Sequence, residues 1–292
     1  MSVYKHDYRA YTGRVTPLWT RVVVLARYGL QEIWSSKITI GLFTLSLLPP
    51  IVFLIILYVS NNPVARMLIT RGRAQEGLPI NGDFFLVVLE IQCWFALAIT
   101  AWIAPRLITF DLADNALPIL LSHPISRLGY VVGKFAALFG SLALVTWVPC
   151  LALFAYQSYS SQPGWTGANL RIAWGLLAGA ALWIGLLTFL GLALSTWVKW
   201  RVVATGIIIA AIFVPAGVGG IITGILRTRW GFLLNVPVVM TELWGRMLGA
   251  HESINSDLWL PSSAIVVMLV VVSLVCMAML NARIRAREVV RG

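Results

Sequence analysis

Six apolar stretches punctuate the chain, near residues 38–59, 84–104, 130–156, 172–196, 202–225 and 262–281, with polar segments between them. A helix rises about 1.5 Å per residue, so about 20 apolar residues cross a hydrocarbon core of about 30 Å. Hydrocarbon offers no water to unpaired backbone groups, so each stretch is predicted to be a helix. The pattern predicts an all-α polytopic membrane protein with six transmembrane helices. It divides the chain into a cytoplasmic N-terminus with an interfacial helix (1–36), the six-helix domain (37–282) and a short basic tail (283–292).

Ahead of the first span the periodicity changes. On a helical wheel Trp19, Val22, Val23, Ala26, Leu30, Ile33 and Trp34 share one face, and Arg21, Arg27, Gln31, Glu32 and Ser35 gather on the other. With Val24 and Tyr28 as exceptions, a helix so divided is expected to lie in the membrane interface as an amphipathic elbow, the alternative being a cytoplasmic helix packed on the protein. Within the spans, Pro49-Pro50, Pro149, and Pro215 with Gly217, Gly219 and Gly220 predict kinks or unwinding. Gly175, Gly179, Ala180, Gly185 and Gly191 give the fourth span a surface for close packing. The longest connection, 226–261, is expected to form a short helix on the outer surface over 238–248, capping the bundle.

Composition agrees with the pattern. The chain is 59% hydrophobic and 11% charged, with a mean hydropathy of +0.86, too apolar for a water-soluble domain of 292 residues. Of its 22 lysines and arginines, 15 fall on one side of the predicted topology and 7 on the other. By the positive-inside rule the richer side, which holds both termini, is cytoplasmic. The net charge of +11 then reflects topology and attraction to anionic lipid. No soluble face gathers the basic residues, which argues against a nucleic-acid partner. No cleavable signal peptide is visible, so the first span is read as retained. Cys93, Cys150 and Cys276 fall inside spans and read as buried apolar residues. His6, His123 and His251 stand apart from any ligand spacing, so no metal site is expected. No phosphate-binding glycine loop and no hydrolase motif is present.

Two features carry candidate chemistry. Glu90 is the one carboxylate squarely within a span, and an ionisable group there is a candidate for the transport path. A hydrogen bond to Gln92 or to a neighbouring helix is its structural alternative. Between the second and third spans runs Asp111-Leu-Ala-Asp114-Asn115-Ala-Leu117-Pro118, followed by an apolar stretch and a basic turn. Asp111 and Asp114 stand three apart on one helical face, an acid pair suited to a helix start.

The run Leu117-Pro-Ile-Leu-Leu-Ser122-His-Pro124-Ile-Ser126-Arg127-Leu-Gly-Tyr130-Val-Val-Gly133-Lys134 resembles the stretch entering the third helix of ABC-2 type ABC transporter permeases. The six spans, the elbow and the long segment before the last span resemble that family's topology. Asp111, Asp114 and Asn115 stand where the family commonly has Glu-Arg or Glu-x-Gly. The resemblance implies a permease subunit of export type in the inner (cytoplasmic) membrane, without enzymatic activity of its own. It implies that the 107–130 segment is a coupling helix, with Asp111, Asp114, Asn115, Leu117 and Arg127 contacting a cytoplasmic ABC ATPase, and Arg127 and Lys134 are expected to anchor the return into lipid headgroups. ATP and magnesium would then belong to that partner, with no cofactor in this chain, and a second permease copy or a sibling would complete the pathway. The rival expectations are a polytopic scaffold that transports nothing and, with less in its favour, an integral-membrane enzyme.

Overall fold

The computed structural model describes residues 17–69, 79–113, 127–198, 200–250 and 260–283. In chain order the helices are α1 (Leu18–Trp34), α2 (Lys37–Ser46), α3 (Leu48–Asn61), α4 (Pro63–Ile69), α5 (Gly82–Ala113), α6 (Arg127–Ser160), α7 (Trp165–Ala168), α8 (Leu170–Ser195), α9 (Arg201–Leu226), α10 (Val236–Leu248) and α11 (Ser262–Arg283). A 3-10 turn at Arg229–Leu234 precedes α10. No strand occurs among the described residues. Six helical stretches are long and apolar enough to cross a membrane: Lys37–Asn61, which joins α2 to α3, then Gly82–Ile108, Leu128–Ser160, Leu170–Ser195, Arg201–Leu226 and Ser262–Arg283. The chain is an all-α, multi-pass membrane protein.

The spans are not equivalent. In the most apolar stretch of α5, α6 and α8, 67%, 56% and 67% of residues are buried inside the protein, against 22% in each of the other three spans. α5, α6 and α8 pack on one another as a central trio, and α2–α3, α9 and α11 lean on its outside. Small residues set the closest approach. A Cβ placed on Gly191 of α8 would lie 2.8 Å from Ala104 Cβ of α5, so glycine is what lets these two backbones touch.

Prolines supply a second kind of contact. In a helix the carbonyl of residue i accepts from the N–H of residue i+4, and proline has none to give. Pro50 thereby frees the Ser46 carbonyl, and Gln92 Nε2 of α5 donates to it at 3.1 Å. Pro105 frees the Ala101 carbonyl, and Thr205 Oγ1 of α9 donates to that oxygen at 2.9 Å. The expected kink in the first span is a break at Leu47, which leaves Pro49 and Pro50 in the first turn of α3, where a missing N–H does least harm. The expected disruption at Pro149 and at Pro215 does not occur as an end or gap in the helix: α6 and α9 are continuous through both. Unwinding there would strip several backbone groups of partners in an apolar setting, whereas a retained proline removes one bond. Gly219 of α9 serves instead as a contact, its Cα facing Gly231 of the 3-10 turn.

α1 is amphipathic, and one side of it packs on α6. Leu25, Gly29 and Ile33 turn toward the protein, while Trp19 and Val23 of the expected apolar face stay exposed alongside Val24 and Tyr28. A Cβ on Gly29 would come within 2.9 Å of Ala137 Cβ, and one on Gly133 within 2.8 Å of Leu25 Cδ2. The fit of small against large along α6 outweighs the mean polarity of the face. Lys134, expected to reach lipid headgroups, is buried instead, with Nζ 3.9 Å from Glu32 of α1.

The α1–α6 seam yields a stability prediction. Gly29→Leu overpacks it and lowers stability by about 1–3 kcal/mol, whereas Gly41→Leu, where an added Cβ meets nothing within 4 Å, leaves it nearly unchanged. Thermal unfolding of both variants in mild detergent checks this; equal melting temperatures would refute the seam.

Candidate functional site

The connection between α9 and α11 does not lie on the outer surface as expected. After Leu226 the chain reverses at Arg227, whose φ of 48° is left-handed, and the 3-10 turn runs back along α9 until Gly231 meets Gly219 and Thr223. α10 then runs in the groove between α5 and α8. Its far end meets their first residues, with Leu248 against Gly82 and Gly175. Further along, Trp244 Nε1 donates to the Gly179 carbonyl at 3.0 Å, and the absent side chain of Gly179 makes room for the Trp244 indole. Pro237 and Thr241 reach the level of Glu90, Cys93, Trp94 and Trp183.

α10 can be buried because its polar groups are met. Val236, Val239, Met240, Leu243, Trp244 and Leu248 face inward. At its start Asn235 Oδ1 accepts from the Val238 N–H at 3.3 Å, and Gly249 closes its end at φ 71°. Glu242 is also buried, at 4% exposure. Its carboxylate lies 2.7 Å from Arg246 Nη2, and Arg246 goes on to donate to the Leu260 carbonyl and Ser262 Oγ, both at 2.7 Å. One arginine thus neutralises the acid and ties α10 to the start of α11.

Glu90 sits about 12 Å along α5 from its first residue, at helical rise. Glu90, Cys93, Trp94, Trp183, Pro237, Thr241 and Trp244 line a crevice with about 10 Å³ of free space, enough for about one water. Trp183 and Trp244 cross edge to face at 5.9 Å. Their indole N–H groups are spent on the Cys93 and Gly179 carbonyls, which fixes the rings. Gln92 does not bond Glu90; it points to Ser46 of α2. No hydrogen bond or ion pair holds the Glu90 carboxylate among the described residues. The first turn of α10, with Pro237, supplies the positive end of a helix dipole beside it. A carboxylate walled by indoles favours a cation, a proton or a water over an anion.

The other sequence candidates lie at the opposite end of α5. Asp111 belongs to its last turn and Arg127 opens α6, while Asp114, Asn115 and Leu117 lie outside the described residues. Glu90 and Asp111 share one continuous helix and stand about 30 Å apart along it at helical rise, so α5 runs from one candidate region to the other. Sequence reasoning missed Trp183, Thr241 and Trp244. The signal was there in the glycines of α8, which a bulky helix had to fill. No protein-family model matches the chain, and no curated protein matches it in sequence.

Removing one member of the buried Glu242–Arg246 pair should be worse than removing both. Arg246→Met strands a buried carboxylate at a cost of about 3–5 kcal/mol; Glu242→Leu combined with Arg246→Met recovers most of it. Unfolding of the single and double variants in detergent tests this, and a double variant no more stable than the single would contradict it.

Proposed function

We propose that the chain is the transmembrane permease subunit of an ATP-driven transporter of the ABC-2 type, an exporter coupled through its 107–130 segment to a separate cytoplasmic ATPase. The observation that carries this reading is the reach of α5 and α6. At 32 and 34 residues they measure about 48 and 51 Å, well beyond a hydrocarbon core of about 30 Å. They flank the 114–126 segment and also form two-thirds of the central trio. A push delivered between them therefore acts on the core directly, without passing through a loosely held peripheral span.

α1 supports the same reading. Its clamp on α6, through Gly29 against Ala137 and Glu32 against Lys134, makes it move with the helix that the segment feeds. In this reading the elbow lies in the cytoplasmic interface with both termini inside, and Trp19 and Val23 rest in lipid. ATP and magnesium act on the partner, and this chain converts closure of the ATPase pair into displacement of α5. That displacement reaches the Glu90 crevice and α10, which serves as the outer gate of the path. A second copy or a sibling permease completes the path, since one chain's central trio is filled by side chains.

Asp111→Lys with Asp114→Lys reverses the charge offered to the ATPase. In the reconstituted complex it should cut substrate-stimulated ATP hydrolysis and transport roughly tenfold or more, as expected for loss of charged contacts at a desolvated interface. Unchanged hydrolysis and transport would sink the coupling role and favour the scaffold. Glu90→Gln should alter transport while leaving the ATPase bound, measured by flux and by co-purification in the same preparation.

A further inference from the structure

At the end of the molecule where α5 finishes and α9 begins, two arginines meet without a counter-charge among the described residues. Trp102 and Arg106 stand one turn apart on α5, at i and i+4, and so share a face. Arg201, the first residue of α9, stacks its guanidinium on the Trp102 ring at 4.1 Å from the ring centre. That contact brings it alongside Arg106, close enough for the Arg106 charge to act on it. Both side chains are half-buried. Arg106 Nε and Arg201 Nη2 are each closed off from solvent and have no acceptor. Glu32 shares a narrow crevice with Arg106, but its carboxylate faces Lys134. Among the described residues no carboxylate lies within ion-pairing distance of either guanidinium.

Two adjacent positive charges with orphaned N–H groups are costly in a half-buried setting. A single anion placed between them offsets the repulsion and accepts from both. The geometry points to a phosphate site: we propose that Arg106 and Arg201, with Trp102 holding the second guanidinium flat, bind the phosphate of an acidic phospholipid. Guanidinium forks match phosphate oxygens two at a time, which a lysine does not. Trp197, Trp200, Val202 and Val203 are exposed around α9's first turn, an apolar collar suited to acyl chains and interfacial headgroups. The free N–H groups of that turn add a positive helix end to the site. Lipid, rather than soluble phosphate, is the source this collar favours. The site stands at the α5–α9 contact that Thr205 and Ala101 secure one turn away, so its occupancy also cross-braces these two helices. It does not depend on the transport reading.

Native mass spectrometry of the full chain in detergent, titrated with dioleoylphosphatidylglycerol, counts the bound lipid. The wild type should retain one such lipid more tightly than dioleoylphosphatidylcholine. Arg106→Gln and Arg201→Gln should each weaken that retention roughly tenfold or more, and Arg229→Gln, beyond the opposite end of α9, should not. Melting temperatures taken without lipid separate binding from folding. Each of the two variants should then be at least as stable as the wild type, because a like-charge contact has been relieved, and the added lipid should stabilise only the wild type. Equal lipid retention in wild type and both variants would overturn the site, and so would a loss of lipid-free stability in the variants. Displacement of the lipid by millimolar inorganic phosphate would overturn the assignment to lipid.

Discussion

An apolar helix can surrender a backbone hydrogen bond only where another element supplies the missing partner, and α5 is where this molecule meets that demand. Its Gln92 satisfies the carbonyl that Pro50 frees in the first span. Its own Ala101 carbonyl, freed by Pro105, is satisfied by Thr205 of α9. Its Cys93 carbonyl accepts from Trp183 of α8 at 2.9 Å. Between apolar surfaces there is no hydrophobic gain from association in lipid, so close packing and such bonds decide which helices are neighbours. α5 is consequently tied to three other spans by directional contacts as well as by shape.

The same economy explains α10. A helix inserted among others must bring its own caps and charge partner, and α10 has Asn235, Gly249 and the Glu242–Arg246 pair. With these in place its apolar face fills a groove that the glycines of α8 leave open. Glu90 is left at the bottom of that groove, beside the helix start. The two ends of the molecule differ in the same terms. At one, Arg171 donates to the Met247 carbonyl at 3.1 Å and Arg246 binds Glu242. At the other, Arg201 and Arg283 rest on indole rings, and among the described residues no carboxylate pairs with Arg201 or Arg106.

Hydrophobic periodicity was sufficient for the six spans and for the helical class, because a run of about 20 apolar residues has few other ways to satisfy its backbone. It was also sufficient for the existence of α1 and for marking Glu90 as unusual. It left open how α1 packs, since the wheel weighs polarity and the contact with α6 is decided by which residues are small enough to approach. It misplaced Lys134 for a similar reason: a basic residue near a helix start reads as headgroup-facing until a carboxylate from another helix is known to meet it.

What the sequence by itself determined is therefore the class, the number of spans and the asymmetry of charge between the two ends, all properties of single segments against a fixed solvent. Only the tertiary structure decided that α5, α6 and α8 form the centre, that α10 enters the groove between α5 and α8, and that Arg106 and Arg201 share a face with Trp102. Each of these pairs residues distant in sequence, as Trp147 with Leu177, Trp183 with Cys93 and Trp244 with Gly179, and local periodicity carries no term for which distant surfaces fit.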